Sequence, residues 1–418
     1  MKRDDIARSG LKHARLDQAC EGKHPFSDSL IHHFSESVLK NETPPVDTLL
    51  VFAANPAYSL PDTGAFFDAL KRIPFIVGFS PFRDETGLMA DLVLPDHTYL
   101  EKREDIVWPP GLPYPLYGLS RPVVDPVYDT RHSGDVIIKL AEGIGASVKS
   151  AFPWKNFDAA LEERGEGLFK SGSGLTRYDG ANPVWKHFAT RKKIKADYSS
   201  FDKMWEALTS GGLWFRPTHE FKNWNAIFKT PSGKFEFFSQ AIEKALNERT
   251  RKSSLKSALE QLGIGVEGDE ACMPHYEPIQ SASGREKYPL LMIPYSLINL
   301  SSSWAPNPPY LNKTLFDHQL LKTESFADLN PQTATEYGLK QGDRVRIRSP
   351  RGELKVRVNL FEGAMPGIVY LPLGFGHWAY DKFQQDKGVN PNRIIDSGND
   401  PISGQMKWWS TRVQLTKV

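Results

Sequence analysis

Three places in the chain bring reactive side chains close together. Asn55-Pro56 closes the apolar run VDTLLVFAAN (residues 46–55), where a strand would end in an Asn-Pro turn. Arg83-Asp84-Glu85 sets one cation beside two carboxylates after a second apolar run. Alone, such a cluster is more often a solvated turn than a site. His32 and His33 are adjacent; on a helix they point about 100° apart and chelate one metal poorly. Only two cysteines occur, Cys20 and Cys272, with no CxxC. A cysteine-ligated iron–sulfur cluster needs about four thiolates, so neither that cluster nor a zinc finger forms within this chain. Their spacing does not indicate a disulfide. No GxSxG elbow is present, and SGSG (171–174) reads as a flexible turn. GFGHW (374–378) contains GxG but follows a strand without opening a helix, a weak dinucleotide signal. None of these signals identifies a function by itself.

The elements that must position them form two patterns. Residues 46–55, 74–80 and 89–95 are apolar runs of buried-strand type. A helix follows the first, capped by Asp62 or Thr63, with Phe66, Phe67 and Leu70 on one face. Strand, helix, strand, strand at this spacing predicts a parallel sheet with crossover connections. Ligands of such sheets lie beyond the carboxyl ends of the strands, here at Asn55-Pro56 and residues 80–86. Residues 27–40 and 133–144 have helical spacing, and 241–262 is helical and charged. The stretch 105–130 is proline-rich and extended. Residues 231–239 (PSGKFEFFS) predict a turn followed by a strand. Beyond about residue 287 the character changes. Val345, Ile347, Leu354, Val356 and Val358 alternate with charges, a half-buried strand pair turning at 350–352. Several strands with one short helix (331–337) predict a closed β-barrel.

Composition bounds the class. At 418 residues, two or three domains are expected, and 40% hydrophobic with 24% charged residues is globular. The 52 basic against 50 acidic residues leave no global field to gather nucleic acid. The basic run Arg191, Lys192, Lys193 and Lys195 reads as a solvated face. No apolar run reaches the ~20 residues of a membrane helix. The first residues have no apolar core of a signal peptide. Direct membrane insertion is therefore not expected. The chain reads as cytoplasmic as written, or as lying on the periplasmic face of the inner membrane if an exported complex carries it.

Five segments resemble, in order and spacing, the molybdopterin oxidoreductases of the dimethyl sulfoxide reductase family. They are VFAANPAYSLPD (51–62), ADLVLPDHTYLEKRED (90–105), PSGKFEFFS (231–239), FADLNPQTATEYGLKQGDRVRIRSPRG (326–352) and GVNPNRI (388–394). The resemblance runs from about Cys20 to Val418 and is to the C-terminal part of such proteins. LNKTLFDHQLL (311–321), FEGAMPGIVYLPLGFGHWAYD (361–381) and DPISGQMKWW (400–409) look most like the molybdopterin-type subunit of menaquinone reductase complexes.

The resemblance implies an α/β plus β-barrel fold. A polar helical segment (1–45) precedes a partial Rossmann-like parallel sheet (46–150). A loop-rich connecting region (151–285) then leads to a molybdopterin-dinucleotide-binding barrel of double-psi type (286–418). It implies that Asn55, Asp84, Ser301, Ser302, His377 and Asn390 face molybdopterin guanine dinucleotide, now or ancestrally. The family usually has Asp at position 80 and Ser or Thr at position 84, where this chain has Ser80 and Asp84. It commonly has a basic residue and a His where Ser296 and Leu300 stand. These losses point to a decayed cofactor site. No catalytic residue and no metal ligand carries over, and the isolated chain is not expected to be active. Two functions follow. One is the C-terminal part of an electron-transferring oxidoreductase whose cluster and metal ligand lie on another polypeptide. The other is a structural subunit in a membrane-associated, quinone-reducing complex. The expected partners in either case are an iron–sulfur subunit and a membrane anchor. Half a Rossmann sheet would leave an open edge and an apolar face, so the isolated chain is expected to depend on a partner.

Overall fold

The computed structural model describes residues 5–10, 15–19, 27–42, 45–109, 111–112, 114–177, 196, 198–216, 224, 228, 230–251, 254–278, 284–302, 305–396 and 398–418. Cys20, the basic run 191–195 and Ser303 lie outside them. The chain folds as two compact units. One combines residues 1–8 with 95–239, and the other combines 9–94 with 240–418. Segment 46–150 is thus shared between units, and one division falls within 151–285.

In the second unit the three apolar runs form β1 (Thr48–Phe52), β2 (Phe75–Phe79) and β3 (Leu92–Leu94), all parallel in the order β1-β2-β3. One face of this sheet packs on α1 (Phe34–Lys40) and α3 (Thr63–Lys71). Phe34, Val38, Phe66, Ala69, Leu70 and Ile76 close that core. Between β1 and α3 lies a single helical turn, α2 (Pro56–Ser59), with Pro56 at its first position, where its missing N–H costs nothing. Asp62 caps α3 by accepting from Ala65 N. The sheet's other face keeps Leu50, Phe52 and Leu92 exposed. Among the described residues no strand pairs with the outer edge of β1.

In the first unit β4 (Asp105–Val107), β5 (Leu116–Leu119), β6 (Leu175–Arg177) and β7 (Leu213–Phe215) form an antiparallel sheet in the order β4-β5-β7-β6. It packs Tyr117, Leu119 and Trp214 on Leu161, Met204 and Leu208. Residues 231–239 form turns and bends with no strand, a correction to the sequence expectation. Phe235 and Phe237 are largely exposed there. The local alternation offers a strand, but no pairing among the described residues takes it up.

The barrel comprises β8 (Leu290–Ser296), β10 (Glu324–Leu329), β11 (Arg344–Ser349), β12 (Gly352–Leu360), β13 (Ile368–Leu373) and β14 (Arg412–Lys417), with the short β9 (Leu320–Leu321) beside β10. The ring closes in the order β10-β12-β11-β14-β8-β13, because β10 pairs with both β12 and β13. The pairs β10–β12 and β8–β13 are parallel, and the remaining neighbours run antiparallel. Alternation along β11 and β12 sends Val345, Ile347, Leu354, Val356 and Val358 inward and the intervening charges outward. The interior is filled side chain to side chain, so truncation leaves a void. Ile347→Ala is expected to lower unfolding free energy by roughly 3 kcal/mol. Urea unfolding checks this, and a cost below about 1 kcal/mol would show that Ile347 is not a core residue.

Candidate functional site

The carboxyl ends of β1 and β2 meet two barrel loops at a buried carboxylate, Glu85. Removing a charge from water is tolerated only when donors replace the water. Four do so here. Glu85 Oε1 accepts from His377 Nδ1 at 2.9 Å, Trp378 N at 3.0 Å and Ala379 N at 3.3 Å; Oε2 accepts from Asn55 Nδ2 at 2.7 Å. Glu85 is 0% exposed and His377 2%. Because an ionised carboxylate only accepts, the facing Nδ1 of His377 carries the proton.

Each donor is fixed in turn. Asn55 Oδ1 accepts from Thr86 N (3.2 Å) and Thr86 Oγ1 (2.9 Å), and Thr86 Oγ1 accepts from Ala57 N at the start of α2. The His377 ring stacks on Tyr58 at 3.8 Å between centroids, 17° from parallel. Tyr58 in turn donates its hydroxyl proton to Phe375 O at 2.9 Å. Asn390 Nδ2 and Asn392 Nδ2 both donate to Tyr58 O, at 2.8 and 3.1 Å, satisfying a carbonyl that the short α2 leaves open. Gly376, at φ +75°, is required by close approach. A Cβ there would lie 2.3 Å from Asn390 N. The GFGHW loop is therefore a packing device, and the glycines hold backbone against backbone.

Of the residues expected to face a cofactor, Asn55, Asp84, His377 and Asn390 come together here, all buried. Their polar atoms are spent mainly on one another and on backbone. Ser301 and Ser302 are half-buried. Ser301 N donates to Asn307 Oδ1 at 2.6 Å. Glu85 itself was not expected, and neither was Tyr58. Asp84 Oδ1 accepts from Gly87 N at 2.7 Å, while among the described residues its Oδ2 is buried without a partner, as is His377 Nε2. Asp84 borders a small cavity of about 10 Å³ among Ser80, Phe82 and Thr86. That volume suits about one water and no base.

Above this wall lies an open cleft of about 580 Å³. Residues 81–83 with Leu88, residues 306–309, and Tyr380, Asp381, Gln384 and Gln385 line it. Its polar groups are one guanidinium (Arg83), one carboxylate (Asp381), a phenol and three carboxamides (Asn307, Gln384, Gln385). Tyr380 belongs to both regions. It lines the cleft and meets the His377 ring edge-on at 5.2 Å. Burial, with the charges of Asp84 and Glu85, holds the Tyr380 phenol well above its ordinary pKa, so it remains a donor.

Two family models match the chain: Molybdopterin oxidoreductase over residues 5–143 and Molydopterin dinucleotide binding domain over residues 295–411. The chain is 28% identical over 372 residues to the menaquinone reductase, molybdopterin-binding-like subunit of Nitratidesulfovibrio vulgaris; the match covers 88% of this chain and 42% of that protein. It is 26% identical to the arsenate respiratory reductase molybdopterin-containing subunit of Shewanella sp. strain ANA-3, covering 99% of this chain and 50% of that one. Among solved structures, acetylene hydratase from Pelobacter acetylenicus shares the fold. The TM-score is 0.60 at 19% identity, over 92% of this chain and 46% of the other. The chain thus spans about half the length of the relatives it matches.

The two adjacent carboxyls titrate in opposite senses. Burial pushes Glu85 up, but the hydrogen bond and charge of His377 and the bond from Asn55 outweigh it and leave it lowered. Burial pushes Asp84 up to about 6; the Gly87 N–H opposes this and the Glu85 charge adds to it. Glu85 therefore supports the fold above the unfolded value, and that support is lost as pH falls through its lowered pKa. Asp84 supports the fold in its protonated form. That support is lost as pH rises between 3.8 and about 6. In urea melts, the Asp84 contribution should fall by on the order of 2–3 kcal/mol over that interval. Asp84→Asn should remove this component, and identical pH slopes in the two proteins would refute the assignment. Glu85→Gln should cost about 3 kcal/mol, and a silent substitution would show that Glu85 does not hold the wall.

Proposed function

The chain belongs to the molybdopterin oxidoreductase family, and on that premise we propose that its strand-end cleft forms one wall of a cavity for molybdopterin guanine dinucleotide in a larger redox assembly. The observation that carries this reading is the cleft itself, at the carboxyl ends of parallel strands where such sheets take nucleotides. Its donor set fits the dinucleotide end of that group. Arg83 offers a fork for a pyrophosphate, and the Asp381 carboxylate can accept from the N–H edge of guanine. Asp381 Oδ1 also accepts from Phe383 N at 2.8 Å, which holds the carboxylate in place. The Tyr380 phenol, kept protonated, adds a donor beside them. Asn55, Glu85, His377 and Asn390 act one layer behind, as positioning residues that fix the loops carrying Arg83 and Tyr380.

When bound, the cofactor supplies two-electron redox chemistry through its metal. Residues of this chain bind, orient and screen its nucleotide end. With two cysteines in 418 residues, the iron–sulfur cluster belongs to another polypeptide or another part of the assembly. An iron–sulfur subunit and a membrane anchor are the partners we place beside it. Among the described residues no helix is long and apolar enough to cross a membrane.

A second reading is a structural subunit whose site no longer holds cofactor. It is favoured by how fully Asn55, Glu85 and Asn390 are satisfied by one another and by backbone. One measurement separates the two. The complex purified from its native source is treated with acid, and released pterin and GMP are quantified. The first reading expects both, with Arg83→Ala and Asp381→Asn lowering their content at least about fivefold while the subunits still co-purify. An intact complex without pterin or GMP would end the first reading and leave the second.

A further inference from the structure

A second cavity, of about 490 Å³, lies in the unit that carries the barrel. It shares no residue with the strand-end cleft. One side is the hairpin of α4 (Gln240–Thr250) and α5 (Leu255–Leu262) with residues 263–278; the other is the loop 400–410. That volume falls within the roughly 300–1,000 Å³ typical of small-molecule sites. The loop alternates. Trp408 packs on the barrel core, whereas Lys407 and Trp409 line the cavity. Met406 does both.

The walls are mostly apolar, and among the described residues Trp409 is 60% exposed and Met273 38%. Most of the polar lining groups are already committed. His275 Nδ1 faces Met273 O at 2.7 Å and Nε2 faces Glu277 Oε1 at 2.9 Å. Both partners are acceptors, so the imidazole carries two protons and is neutralised by Glu277. Glu277 also accepts from Gly265 N at 2.6 Å. Asp400 Oδ1 is taken by Ile402 N, Ser403 N and Ser403 Oγ. Ser410 Oγ donates to Lys407 O. Lys407, half-buried as a residue, alone among the charged lining residues has no side-chain hydrogen-bond or ion-pair partner among the described residues.

Three neutral donors hold the Asp400 carboxylate in its own turn, which leaves the Lys407 ammonium as the charged group open to a partner, and apolar walls beside such a group suit a ligand with an apolar body and one negative charge. We propose that this cavity binds a small aromatic or aliphatic carboxylate, with its carboxylate on Lys407 Nζ and its body against Met273, Met406 and Trp409. Methionine flanks suit this, because the thioether adapts to flat or flexible hydrocarbon. A partner's polypeptide segment would need no lone anion and would not discriminate by charge.

The test is calorimetric titration of the full chain, in the complex in which it is isolated, with 2-naphthoate and with its neutral analogue 2-naphthamide. Saturable naphthoate binding is expected, at least about tenfold tighter than the amide. Lys407→Met should abolish that difference and leave amide binding in place, whereas Lys407→Arg should restore it. Trp409→Ala should weaken both ligands. Three results would overturn the proposal: equal affinities for the two probes, naphthoate binding unchanged in Lys407→Met, or no saturable binding, as when another polypeptide covers the mouth.

Discussion

A carboxylate taken out of water must find a full set of donors, and Glu85 obtains them from two parts of the fold at once. Asn55 stands at the end of the first parallel strand. His377 and the amides of 378 and 379 belong to the loop after β13. The sheet and the barrel are therefore joined by directional bonds. An apolar contact of equal area would tolerate sliding or rotation, whereas four bonds to two oxygens do not. Everything nearby follows from keeping those donors in place. Thr86 holds Asn55, Tyr58 carries the imidazole, and Asn390 with Asn392 holds Tyr58. Gly376 lets the two backbones approach within the distance this arrangement needs.

This constraint reconciles two expectations that pull apart. Residues that the family resemblance places against a cofactor, Asn55, His377 and Asn390, are buried and bonded within the protein. Their effect on a ligand is indirect, because they set the positions of the loops that carry Arg83, Tyr380 and Asp381. The cleft above them is the part with exposed polar groups. Retaining Asn55 and Asn390 is thus needed for the joint between sheet and barrel whether or not a dinucleotide lies over it. The same reasoning accounts for Ser80. At the end of β2 its hydroxyl accepts from Phe82 N at 3.1 Å and shapes the turn, a role that needs no charge.

Much of the fold was legible because each layer writes a period. Residues 46–55 and 74–80 appear as unbroken apolar runs because β2 is largely buried and β1 keeps apolar Leu50 and Phe52 even on its open face, and strands of a filled barrel alternate, as in residues 344–358. The Asp62 cap was local enough to mark a helix start. What could not be read is long-range. Glu85 and His377 are 292 positions apart, and no spacing rule links them. In isolation Arg83-Asp84-Glu85 resembles a solvated turn; only the arrival of the barrel loop turns Glu85 inward. Residues 231–239 failed for the opposite reason. Their alternation is local and strand-like, but a strand needs a partner, and alternation does not provide one.

Tyr380 shows how the buried joint and the open cleft are coupled. It sits at φ +71°, a region that bulky side chains rarely adopt. That conformation costs about 1–2 kcal/mol and persists only where surrounding contacts determine it more strongly. Here the His377 ring, bonded to Glu85, meets the phenol edge-on at 5.2 Å. The strain is therefore held by the joint, while the phenol lines the cleft. A ligand entering that space meets a donor already in place and loses less affinity to ordering the site than it would against a mobile tyrosine. On this argument, loosening Glu85 would weaken ligand binding through Tyr380 without removing any group that touches the ligand.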